Sequence, residues 1–145
     1  MVMPDRYLIV NADDFGISRE TNDVIERLFD EGRITSTTIM VPGAEFDDAA
    51  KRAARNKKIN VGLHVTLNSD FADDRWKSIA AKEYVKSLLD DDGYFYHDTA
   101  LFYKNAAGSE VALEINAQYD AAVSARCAID HVDSHCGTLY GLGGR

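Results

Sequence analysis

The chain is short of the residues that mark several protein classes. Its two cysteines, Cys127 and Cys136, are too few for a disulfide framework and are not spaced as CxxC, which fits a reducing cytoplasm better than secretion. Only two prolines occur in 145 residues, and 46% of the chain is hydrophobic, so a disordered or Pro-rich linker is excluded and a packed core is expected. No run approaches the roughly 20 apolar residues that span a bilayer, so no membrane partner is expected. The opening MVMPDRYLIV lacks the basic region and long apolar stretch of a signal peptide. Basic residues are also the minority, 16 against 24 acidic, for a net charge of −8. Nucleic acid is therefore not an expected partner, because phosphate backbones are held by clustered Lys and Arg.

What is present alternates short apolar runs with helical segments, the pattern of an α/β fold with mainly parallel strands. The first strand is expected over Tyr7–Ala12, buried on both faces and broken by Asp13-Asp14-Phe15-Gly16. Ser18 is placed to cap a helix running to about Glu31, with Val24, Ile25, Leu28 and Phe29 as its apolar stripe and Gly32 at its end. A second strand over Ser36–Val41 leads to an alanine-rich helix ending near Arg55. In the third strand, Ile59–Leu67, Val61, Leu63, Val65 and Leu67 share one face, and Gly62, His64 and Thr66 share the other. Residues 68–107 form a long insertion with an expected helix over Lys82–Asp90, a turn at Asp92-Gly93 and an aromatic cluster at Tyr94, Phe95, Tyr96, Phe102 and Tyr103. Such a segment reads equally as a substrate-facing lid or as a surface subdomain with its own small core. Ser109 is expected to cap a helix to about Ala125, its stripe Val111, Ile115, Tyr119 and Ala122. The last strand, Ile129–Cys136, sets His131, Asp133 and His135 on one face.

The residues able to do chemistry fall at equivalent places. Asp13 and Asp14 follow the first strand, His64 lies toward the end of the third, and His135 ends the fourth. In parallel α/β folds the carboxyl ends of strands gather at one edge, where sites are built. A carboxylate and two imidazoles there suit a divalent metal with open positions. Taken singly, Asp-Asp is commonly a turn and a strand histidine commonly a hydrogen-bonded core residue; the joint placement is what favours a site. His97 reads as a surface residue, His131 as structural or supporting. Cys136 reads as a packing residue beside a functional one, in preference to a nucleophile.

NADDFG at 11–16, GLHVTL at 62–67 and HVDSHCGTLYG at 131–141 closely resemble the YdjC-like carbohydrate deacetylases, and the motifs occur in family order. The resemblance implies the N-terminal half of a distorted, TIM-like (β/α) barrel, with residues 1–145 as one partial domain. It implies Asp14, His64 and His135 as metal ligands, magnesium or zinc being expected, and Asp13 as the general base. The expected reaction is hydrolysis of the acetamide of an N-acetylated sugar or oligosaccharide. Many members carry a further histidine two positions after the last ligand, where this chain has Gly137, and this is expected to mark a branch with a different acceptor.

Two rival readings follow from the same residues. Two histidines and a carboxylate also form the facial triad of non-haem iron oxygenases, although those usually pair His and Asp closely in sequence. A non-catalytic metal- or ligand-binding module is the other, because family members run to about twice this length, within the 200 to 400 residues usual for such barrels. The closing strands and the general acid are therefore expected beyond Arg145. The glycine-rich 140–145 is read as the end of a truncated or proteolysed chain, its open sheet edge covered by another copy or a neighbouring molecule.

Overall fold

The computed structural model describes residues 5–71 and 73–141; the glycine-rich 142–145 lies outside the described residues. Four strands, β1 (Asn11–Phe15), β2 (Ser36–Ile39), β3 (Val61–Val65) and β4 (Ile129–Ser134), form one parallel sheet in the order β1-β2-β3-β4. Sequential order with a helix between neighbours is the pattern of a (β/α) barrel, whereas a doubly wound sheet reverses its order part-way. The chain is thus an α/β partial barrel, its arc beginning at β1 and ending at β4.

The helices follow local rules. In α1 (Arg19–Asp30) the Ser18 side chain accepts from the Thr21 N–H, Glu20 sits in the first turn, and Gly32 follows the end at φ 66°. In α2 (Phe46–Arg55) Asp47 and Asp48 lie at the positive end of the helix dipole and Arg52 and Arg55 at the negative end. Ile25 and Phe29 of α1 and Ala49, Ala50 and Ala53 of α2 join Phe15, Ile39, Val61, Leu63 and Val65 of the sheet in one buried cluster. Each Val, Leu, Ile or Phe side chain among them, fully buried, contributes about 1.5–3 kcal/mol. Val24 leaves the expected stripe and is 42% exposed, while Asn22 takes a buried place on that face.

Several expected boundaries move. The first strand begins at Asn11, where pairing with Ser36 starts, and it includes Asp13 and Asp14. Tyr7, Leu8 and Ile9 precede that strand and are 90%, 80% and 77% exposed, not buried, because they join no strand and no neighbouring strand covers them among the described residues. Strand β4 stops at Ser134, and a 3₁₀ segment, His135–Tyr140, follows, with Cys136 and Gly137 in the left-handed region.

In the 68–107 insertion, the helix expected over Lys82–Asp90 is replaced by two 3₁₀ turns, Lys82–Tyr84 and Lys86–Leu88. The Ser87 N–H goes to the Glu110 carboxylate, not to a carbonyl of its own helix. A short helix, α3 (Thr99–Asn105), follows. Trp76, Val85, Leu88, Leu89, Phe95 and Phe102 are buried and continuous with the main core. The long helix α4 (Gly108–Ser124) has Ala107, not Ser109, at its N-cap. Its buried stripe is Glu114, Gln118 and Ala122, whereas Tyr119 is 45% exposed. The polar stripe is satisfied: Gln118 bonds both the N–H and the carbonyl of Thr66, and Glu114 accepts from the Ile79 and Ala80 N–H groups and from Gln118.

Candidate metal centre

The inner face of the arc is polar. Asn11 of β1 donates to Asp13 at 2.7 Å and to Thr38 at 3.2 Å, and the Thr38 hydroxyl donates to Asp133 at 2.8 Å. Parallel pairing sets His64 of β3 directly beside Asp133 of β4. Gly62, one step earlier on that face, is required by close approach: a Cβ there would overlap the His131 ring. His131 therefore lies over Gly62 and pairs with Asp130, and among the described residues its Nε2 has no hydrogen-bond partner.

Asp13 and Asp14 are neighbours, and on a regular strand their side chains would face opposite ways. The ladder between β1 and β2 is irregular between Ala12 and Phe15, and Asp14 takes φ 64°, a left-handed conformation that Asp tolerates better than most residues. That bulge brings carboxylate oxygens of both residues to His64, Asp14 in a group with His64 and His135, and Asp13 in a group with His64 and Asp133. Asp13 is exposed on the open side of the sheet; both histidines are buried.

The three residues assigned as ligands on sequence come together. Asp14 Oδ1 lies 3.1 Å from His135 Nδ1 and 3.3 Å from His64 Nε2, and the two nitrogens are 3.2 Å apart. Such a triangle is the spacing of adjacent ligands around one ion with bonds of about 2.0–2.2 Å. The opposite nitrogens are both held by carboxylates, His64 Nδ1 by Asp133 at 2.6 Å and His135 Nε2 by Asp70 at 2.7 Å. A histidine that gives one N–H to a carboxylate turns the lone pair of its other nitrogen toward a metal, so the donor set fits a divalent ion. Asp70 is absent from the sequence assignment. Its only signal there was its place directly after the Asn68-Ser69 step that follows the third strand. The edge of Trp76, also from the insertion, stands against the His135 ring at 5.3 Å between centroids.

Electrostatics follow the contacts. Hydrogen bonds from His135 and then His64 hold the Asp14 carboxyl well below the usual carboxylate range, overriding its partial burial. Burial disfavours a charge on His64, but the Asp133 and Asp14 carboxylates more than offset it and raise the imidazole to about 9. Cys136 is exposed, so it is no packing residue; partial burial of its thiol pushes the pKa up, away from the thiolate a nucleophile needs.

The model of the YdjC-like protein family matches residues 7–142. The chain belongs to the YdjC-like family. It is 32% identical, over 90% of its length, to a carbohydrate deacetylase of Thermoanaerobacter pseudethanolicus, and 34% identical, over 92%, to a carbohydrate deacetylase of Enterococcus faecalis. This YdjC-like chain spans about half the length of those curated relatives, 50% and 49%. A crystal structure from E. faecalis, described as a candidate cellobiose-phosphate cleavage protein, superposes with a TM-score of 0.81 at 31% identity, covering 92% of this chain and 52% of that one. No helix of the described residues is long and apolar enough to cross a membrane.

Proposed function

We propose that this chain carries the metal-binding half of the active site of a hydrolase that removes an acetyl group from an N-acetylated sugar or oligosaccharide. The observation behind the reading is the 3.1–3.3 Å triangle of Asp14 Oδ1, His64 Nε2 and His135 Nδ1, with Asp13 beside it. Asp14, His64 and His135 hold the ion, and two imidazoles with one carboxylate favour zinc over magnesium. When bound, a divalent ion polarises the amide carbonyl and acidifies water. Asp13, open to solvent and steadied by the Asn11 amide, accepts the proton of the attacking water. The proton for the leaving amine is assigned to the part of the relatives that this chain does not span. The two unpaired thiols fit a reducing cytoplasm as the place of reaction.

The fact that the chain spans about half of its relatives favours a second reading for these 145 residues taken alone: they bind metal without turnover. One experiment addresses both. Acetate release from N-acetylated chitooligosaccharides is measured for this chain and for a full-length relative carrying the same motifs, each stripped of metal and reloaded with zinc or magnesium. Metal-dependent release by the full-length protein, lost in its Asp14→Asn counterpart, is the expected result. Release that persists in chelator would overturn the assignment.

A further inference from the structure

Resting on the metal-centre reading above, we propose that Asp70 is a positioning residue that sets which nitrogen of His135 faces the metal site. His135 is buried, and its Nε2 meets the Asp70 carboxylate at 2.7 Å while its Nδ1 faces Asp14 and His64. Accepting the Nε2–H holds that proton in place, so that a bound ion would displace the proton on Nδ1 and take its lone pair. Asp133 does the same for His64 from the other side, through Nδ1, so each imidazole is oriented by its own carboxylate.

Asp70 is itself held firmly. The preceding Ser69 is fully buried; its N–H donates to the Tyr96 carbonyl at 2.9 Å, its hydroxyl donates to the Phe95 carbonyl at 3.0 Å, and the same oxygen accepts from the Trp76 N–H at 3.1 Å. Asn68, also buried, accepts from the Thr138 hydroxyl at 2.5 Å, tying the start of the insertion to the segment that carries His135. The Cys136 thiol donates to the same Asp70 oxygen at 3.4 Å. Trp76 closes the remaining side of the ring. The insertion thus delivers to the ligand His135 a carboxylate that the strands themselves do not supply, and it couples the packing of 68–107 to the order of the site.

The test uses the whole chain and zinc alone. Zinc affinity is measured by competition with a chelator, and the exchange of the His135 Nε2–H is followed by imidazole ¹⁵N–¹H NMR, with thermal melts as a folding control. Asp70→Ala is expected to weaken zinc binding about 10–100-fold, the usual effect of removing a carboxylate behind a metal-bound histidine, and to expose the Nε2–H to fast exchange. Asp70→Asn keeps an acceptor oxygen and is expected to restore part of both, and it carries the test if the alanine variant does not fold. Zinc affinity within about twofold of wild type in the folded variants, or an Nε2–H equally protected in them, overturns the proposal. If wild type binds no zinc, the metal-centre reading fails, and the Nε2–H exchange still decides the role of Asp70.

Discussion

Asp133 and His64 are directly paired across β3 and β4, with the carboxylate 2.6 Å from the imidazole Nδ1. They lie 69 positions apart in sequence, and parallel pairing alone makes them neighbours. The other oxygen of that carboxylate accepts from Thr38 at 2.8 Å and from Asn11 at 3.3 Å, so β1 and β2 both brace the group of β4 that orients His64. Replacing Asp133 by Ala should free the ring and loosen zinc about 10–100-fold, with a smaller loss for Asn. Isothermal titration of the folded variants checks this, and unchanged affinity in both would count against an orienting role.

The pH dependence of metal binding follows from His64. Its pKa in the folded, metal-free protein is raised to about 9, against 6.5 as the ordinary value, so the imidazole is protonated at neutral pH. A metal needs the neutral ring, and each pH unit below about 9 should weaken zinc about tenfold for this one proton. The linkage to stability has the opposite sense. The raised pKa stabilises the metal-free fold fully below about pH 6.5, and that stabilisation is lost as pH rises through about 9. Chelator competition and metal-free melts across this range test both halves.

The adjacent aspartates should separate by role. In a full-length YdjC-like protein with these motifs, the change equivalent to Asp13→Asn should retain most metal and lose about 10²–10⁴-fold in turnover. The change equivalent to Asp14→Asn should lose metal first, because Asp14 is the carboxylate shared by both imidazoles. Metal content alongside kcat decides the pair, and the reverse pattern would exchange the two assignments.

Glu114 tests the polar seam behind the sheet. It is fully buried, and its carboxylate accepts from Ile79, Ala80 and Gln118. Removing it leaves those donors without a partner, so Glu114→Ala should cost about 1–3 kcal/mol for each unsatisfied group. Burial raises the Glu114 pKa above its ordinary 4.5. Its titration therefore favours the fold most below pH 4.5, and that contribution declines as pH rises through the raised value. Denaturant unfolding of wild type and variant between acid and neutral pH reads both effects. A melt insensitive to the substitution would mean that water replaces the carboxylate.

Much of the architecture was legible because it rests on local rules. The cap at Ser18, the acidic first turn and basic last turn of α2, and the alternation of Val61, Leu63 and Val65 each depend on residues a few positions apart. The convergence of Asp14, His64 and His135 was also readable, since parallel strands align their carboxyl ends whatever the loops between them do. Other features needed the tertiary structure. The bulge that turns Asp13 and Asp14 to the same histidine comes from how β1 pairs with β2, and neither residue announces a left-handed Asp14. The exposure of Tyr7–Ile9 was hidden because an apolar run reads the same in sequence whether or not it joins a strand. The buried face of α4 was misjudged because Glu114 and Gln118 look like solvent residues until backbone groups 34 to 52 positions away supply their partners. Asp70 was missed for the same reason: its partner, His135, lies 65 positions further on, and hydrogen bonds between such distant residues leave no periodic trace in the sequence.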